Sequence, residues 1–79
     1  MTREQIYARI EKMIKDRRGE SFQVTPTMDI REDLGADSVD LMEFIIGLED
    51  EFGIEITDLD ADGFTGLDDV VAFIAEKKK

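Results

Sequence analysis

Asp33-Leu34-Gly35-Ala36-Asp37-Ser38-Val39-Asp40-Leu41-Met42-Glu43-Phe44 is the stretch from which the rest of this chain can be read. A glycine-containing turn delivers Asp37 and Ser38 to the start of a strongly apolar helix. Asp37 suits the N-cap, because its carboxylate can accept from the free N–H groups of the first turn, and Asp40 three residues on completes a capping-box-like pair. Ser38 then takes the first helical position with its hydroxyl outward. Unpaired N–H donors and a partial positive charge favour a phosphate ester on Ser38, while Asp37 and Asp40 oppose it. Asp-Ser at a helix start is also ordinary capping grammar, so these residues alone leave a purely structural role open.

The helix beginning here is expected to run from about Ser38 to Phe52 and carries two apolar stripes. At about 100° per residue, Leu41, Phe44, Ile45, Leu48 and Phe52 share one face, and Val39, Met42 and Ile46 lie roughly opposite. One face must be core. The other is either covered by a neighbouring element or left for a partner, with Glu43, Glu49 and Asp50 near its margins; an exposed apolar stripe with an acidic border is costly unless something binds it. Gly47, inside the helix, should cost about 1 kcal/mol relative to Ala.

The string from Asp33 to Asp40 closely resembles the prosthetic-group attachment motif of acyl carrier proteins of the fatty-acid type, usually Asp-Leu-Gly-Ala-Asp-Ser-Leu-Asp. The likeness continues through Glu49-Asp50-Glu51-Phe52 and Gly53-Ile54-Glu55-Ile56 and covers most of the chain. In that family the serine carries 4'-phosphopantetheine, whose thiol holds an acyl group as a thioester. The resemblance therefore implies that Ser38, with Asp37 beside it, is the attachment site of a non-catalytic carrier. It further implies that Val39, Asp40, Met42, Glu43, Ile46 and Asp50 form the face read by partners: a phosphopantetheinyl transferase and acyl-processing enzymes with basic surfaces. Fatty-acid synthesis is the default pathway, and a dedicated lipid or polyketide carrier would look similar.

Composition agrees with a carrier. The 79 residues are expected to form one domain, residues 1–79, with a single modest core. There is no cysteine, hence no disulfide, thiolate metal site or protein-borne thiol nucleophile; any thioester sulfur must come from a cofactor. Histidine is absent too, which leaves Ser38 without an imidazole to activate it and argues against self-contained nucleophilic catalysis. The start lacks a signal-peptide apolar region and no run approaches the roughly 18 residues of a membrane span, so a soluble, cytoplasmic monomer is expected.

The net charge of −10 is unevenly spread. Residues 1–31 hold seven basic and five acidic side chains, whereas residues 32–76 hold fifteen carboxylates and no Lys or Arg. Such a field repels nucleic acid and anionic membrane and steers basic protein surfaces toward the second half.

Elsewhere the pattern predicts an all-α chain: a small up-down bundle of three main helices plus one short one, with a long first loop. Thr2 and Gln5 read as a capping box, after which Ile6, Ile10, Met13 and Ile14 recur at helical spacing as far as about Arg18. Gly19 is a natural stop, with Lys15, Arg17 and Arg18 complementing the helix dipole. Residues 19–36 show no clear periodicity, although Phe22, Val24, Ile30 and Leu34 can tack them onto the core. A short helical turn is expected over Asp58–Asp62, then a last helix from Thr65 or Gly66 with Leu67, Val70, Val71 and Ile74 as its core stripe, closed by Lys77 to Lys79. The segment Gly63-Phe64-Thr65-Gly66-Leu67 departs from the family's usual Ile-x-Thr-Val-like pattern.

A rival motif lies in the same region. Asp58-Leu59-Asp60-Ala61-Asp62-Gly63 matches the first half of an EF-hand loop, with oxygen ligands at alternate positions and a glycine in sixth place. Asp69 stands where the bidentate Glu should be, and no second loop exists to pair with it. Asp58, Asp60, Asp62 and Asp69 are thus candidates for weak Ca²⁺ or Mg²⁺ binding, and a calcium-binding module is the alternative to the carrier.

Overall fold

The computed structural model describes residues 1–34 and 37–78. Its elements are α1 (Arg3–Arg18), a one-turn π-helix (Ile30–Leu34), α2 (Ser38–Phe52), α3 (Asp58–Asp62) and α4 (Leu67–Lys77). The result is the expected small helical bundle, with no strand among the described residues beyond an isolated bridge between Asp29 and Gly66.

α1 starts where its cap says it should. The Thr2 hydroxyl accepts from Gln5 N–H at 3.1 Å, and the Gln5 side chain accepts from Thr2 N–H at 2.9 Å. Ile6, Ile10 and Ile14, four residues apart, are buried in one row. Gly19, at φ 101°, ends the helix in a conformation that a side chain would strain. In α2, Phe44, Leu48 and Phe52 are buried and Leu41 and Ile45 half-buried, as the first stripe predicts. Gly53 closes it in the left-handed region, φ 63° and ψ 39°, donating its N–H to Glu49 O at 2.8 Å.

The long connection is more structured than its sequence suggests. Met28, Ile30 and Leu34 are buried in the common core, whereas Phe22 and Val24 are only half-buried. Backbone pairing explains how a loop can lie so deep: Ile30 N–H donates to Thr65 O at 2.9 Å, Leu67 N–H to Met28 O at 3.0 Å and Asp68 N–H to Pro26 O at 2.9 Å. Polar groups that burial takes from water are thus satisfied by the start of α4. From the other side, Tyr7 Oη donates to Val24 O at 3.0 Å and Arg18 Nη2 to Leu34 O at 2.6 Å. The π-turn is itself held by Asp29, whose carboxylate accepts from Arg31 N–H at 2.9 Å and Glu32 N–H at 2.8 Å. The expected Gly35–Ala36 turn and the final Lys79 lie outside the described residues.

The two glycines of Gly63-Phe64-Thr65-Gly66 do not prevent α3 from forming. Thr57 and Asp60 make a reciprocal capping box at its start, and Gly63 ends it after five residues. α4 begins one to two residues later than expected, at Leu67. Asp69 explains the start: its carboxylate accepts from Thr65 N–H, Thr65 Oγ1 and Gly66 N–H at 3.0, 2.8 and 3.1 Å. These hydrogen bonds favour the charged form and hold the Asp69 carboxyl below the usual range.

Candidate functional site

Ser38 is the first residue of α2, exposed, with Asp37 as N-cap. The cap bond differs in detail from the expectation. Asp37 accepts from Val39 N–H at 2.9 Å, the second helical residue, and the reciprocal box with Asp40 is not seen among the described residues. An Asx-type bond to the residue two places on uses the cap carboxylate and leaves Asp40 exposed. No hydrogen bond of the Ser38 hydroxyl is formed among the described residues. An exposed primary alcohol with no neighbouring base can be modified by an external catalyst but is not itself an activated nucleophile.

Beside Ser38 runs a groove of about 490 Å³ between α2 and α3. Leu41, Met42, Ile45 and Ile46 line it from α2, Ile56 and Ala61 from the opposite side. The second stripe of α2 is uncovered: Val39, Met42 and Ile46 are 59%, 62% and 48% exposed. Met42 and Ile46 therefore serve as both groove wall and outer surface. A smaller cavity, about 220 Å³, lies between α1, the π-turn and α2, lined by Met13, Ile14, Leu34 and Phe44; Ser38 does not border it.

The acids at the margin of that face are not equivalent. Glu43 is ion-paired with Arg17 of α1, an arrangement the sequence did not reveal because 26 residues separate them. Asp50 is exposed and enters no ion pair among the described residues. Two further residues were missed. Leu59 is 82% exposed on α3, and Arg31 lines the groove with Ser38; neither stands out in the sequence.

Asp58, Asp60, Asp62 and Asp69 are not brought together. Asp58–Asp62 is helix, not a ligating loop; Asp60 is spent on the Thr57 cap and Asp69 on the Thr65–Gly66 cap, while Asp62 faces Arg31 at 3.7 Å. Among the described residues no group of three acidic side chains could hold a metal ion. The EF-hand alternative thus loses its geometric basis.

An exposed hydroxyl at a helix start, opening onto an apolar trough in a chain without sulfur nucleophiles, suits a long prosthetic arm bearing an apolar cargo. The family model for a phosphopantetheine attachment site matches residues 6–74. An acyl carrier protein of Rubrobacter xylanophilus is 43% identical over 77 residues, covering 96% of this chain and 95% of that protein. The fold, site and match define a phosphopantetheine-bearing carrier, not an enzyme. Within that class, the chain belongs to the acyl carrier protein family.

Proposed function

We propose that Ser38 is the residue to which 4'-phosphopantetheine is joined, and that residues 1–79 act as one carrier domain delivering acyl groups to enzymes of fatty-acid synthesis or a related lipid or polyketide pathway. The observation that carries this reading is the place of Ser38: exposed, first in α2, and lining the groove between α2 and α3. When attached, the arm supplies the thiol that a chain without cysteine lacks. Asp37 fixes the helix start that presents the hydroxyl, and Leu41, Ile45, Ile56 and Ala61 offer an apolar bed beside it.

The docking face is Val39, Asp40, Met42, Glu43, Ile46 and Asp50. Exposed apolar side chains inside an acidic margin fit partners with basic rims, namely the transferase that loads Ser38 and the enzymes that act on the cargo. No described helix is long and apolar enough to cross a membrane, and the reading places the chain in the cytoplasm as a monomer.

Incubation with coenzyme A and a phosphopantetheinyl transferase, followed by intact-mass measurement, tests the assignment. The parent should gain one phosphopantetheine and Ser38→Ala none, with the helical circular dichroism of the two alike. A Ser38→Ala chain that still gains the mass would move the site elsewhere.

A further inference from the structure

Arg31 is the only Lys or Arg between residues 19 and 76. It shares the wall of one groove with Ser38. Its backbone is fixed, because Asp29 accepts its N–H and the π-turn is held to the start of α4 through Ile30 and Thr65. Its side chain, by contrast, is loosely engaged: Nη2 lies 3.7 Å from Asp62 Oδ1, with the two side chains 48% and 75% exposed. An ion pair this long and this wet is weak and easily exchanged.

A phosphodiester on Ser38 would sit among like charges. Asp37 and Asp40 flank it on α2, Asp58 and Asp62 border the same groove, and α2 has no basic residue in its first turn. Asp37 already occupies the Val39 N–H, so the helix start has one fewer donor to offer the anion. A guanidinium is the side chain best matched to phosphate oxygens, since its planar fork donates two parallel hydrogen bonds.

We propose that Arg31 is a positioning residue for the phosphodiester on Ser38, exchanging Asp62 for that anion when the arm is attached and so holding the base of the arm over the α2–α3 groove. The proposal rests on the assignment of Ser38. No bond is made or broken; one ionic partner replaces another. It also gives the one cation between residues 19 and 76 a role that the weak contact with Asp62 does not.

The test uses the loaded chain, after intact mass has confirmed the arm on Ser38; failure to load would count against the attachment site and not against Arg31. The phosphorus-31 resonance of the phosphodiester and the Arg31 Nε–Hε resonance are then compared in the parent, Arg31→Gln, Arg31→Lys and Asp62→Asn. On loading, the parent's Nε–Hε signal should shift. The phosphorus signal should move in Arg31→Gln, stay closer to the parent's in Arg31→Lys, and lose its dependence on residue 31 in about 1 M salt, where the screening length is about 3 Å. Asp62→Asn separates this role from a latch between the π-turn and α3. If Arg31 serves the phosphodiester, freeing it from Asp62 should leave the phosphorus signal at the parent's position or displace it opposite to Arg31→Gln. An Nε–Hε signal unmoved by loading, or Asp62→Asn reproducing Arg31→Gln, would overturn the proposal.

Discussion

At the scale of single residues, two carboxylates decide where helices begin, and they act differently. Asp37 caps α2 through one bond to Val39, whereas Asp69 gathers three donors from Thr65 and Gly66 and fixes the start of α4 against the buried loop. Because folding lowers the Asp69 pKa, its contribution is complete above the ordinary carboxylate range and is lost as pH falls through that range and then through the lower folded value. Asp69→Ala should therefore destabilise at neutral pH by about 1 kcal/mol, as typical for a lost cap, and its deficit against the parent should shrink below about pH 4. Urea unfolding of both chains across pH checks the sign. A deficit that grows on acidification would show that another group dominates.

Helix α2 has to serve a core, a groove and an exposed face at once, and Gly47 shows how it meets α1. A Cβ at that position would lie 3.4 Å from Met13 Sδ and 3.7 Å from its Cε, the far end of a flexible side chain. Gly47→Ala should therefore recover most of the helix-propensity deficit, up to about 1 kcal/mol or about 4–8 °C in melting temperature for a chain of this size. A lower melting temperature would mean that the α1–α2 approach cannot give way. On the outer face, the ion pair between Glu43 and Arg17 masks one acid of the proposed docking face. Arg17→Gln should then speed association with a basic partner enzyme several-fold at low salt, and Asp50→Lys should slow it. Both differences should vanish in about 1 M salt, as stopped-flow mixing would reveal.

Over the whole molecule, the first loop is as much a part of the core as the helices are. Ile30 is 1% exposed, comparable with Ile10 in α1 and Leu48 in α2. Ile30→Ala should cost about 2–5 kcal/mol, against a total stability of about 4–12 kcal/mol for a chain of this length. Thermal unfolding should thus show a loss as large as that of Ile10→Ala, which no ordinary surface loop would produce. The net charge of −10 also acts globally. Raising salt from about 0.01 M to about 0.1 M shortens the screening length from about 30 to about 10 Å and should raise the melting temperature by relieving repulsion across the second half.

By itself the sequence determined the four α-helices and the two faces of α2. Each rests on local physics: caps at Thr2, Asp37 and Thr57, a stop at Gly53, and a helical spacing that separates Leu41, Phe44 and Leu48 from Val39, Met42 and Ile46. The resemblance of Asp33–Asp40 to an attachment motif then singled out Ser38, a choice that spacing alone could not make. Tertiary structure decided what depends on residues far apart in the chain. The burial of Met28 and Ile30 requires donors and acceptors from Thr65 to Asp68, and the masking of Glu43 requires Arg17 on another helix. The apparent calcium loop gave way to a competing local signal instead: alternate aspartates match a ligand spacing, but the Thr57–Asp60 capping box sets the segment as the short helix expected there and uses the Asp60 carboxylate. Local signals survive wherever backbone geometry and side-chain period dictate them; they fail where a polar group's partner is chosen by packing.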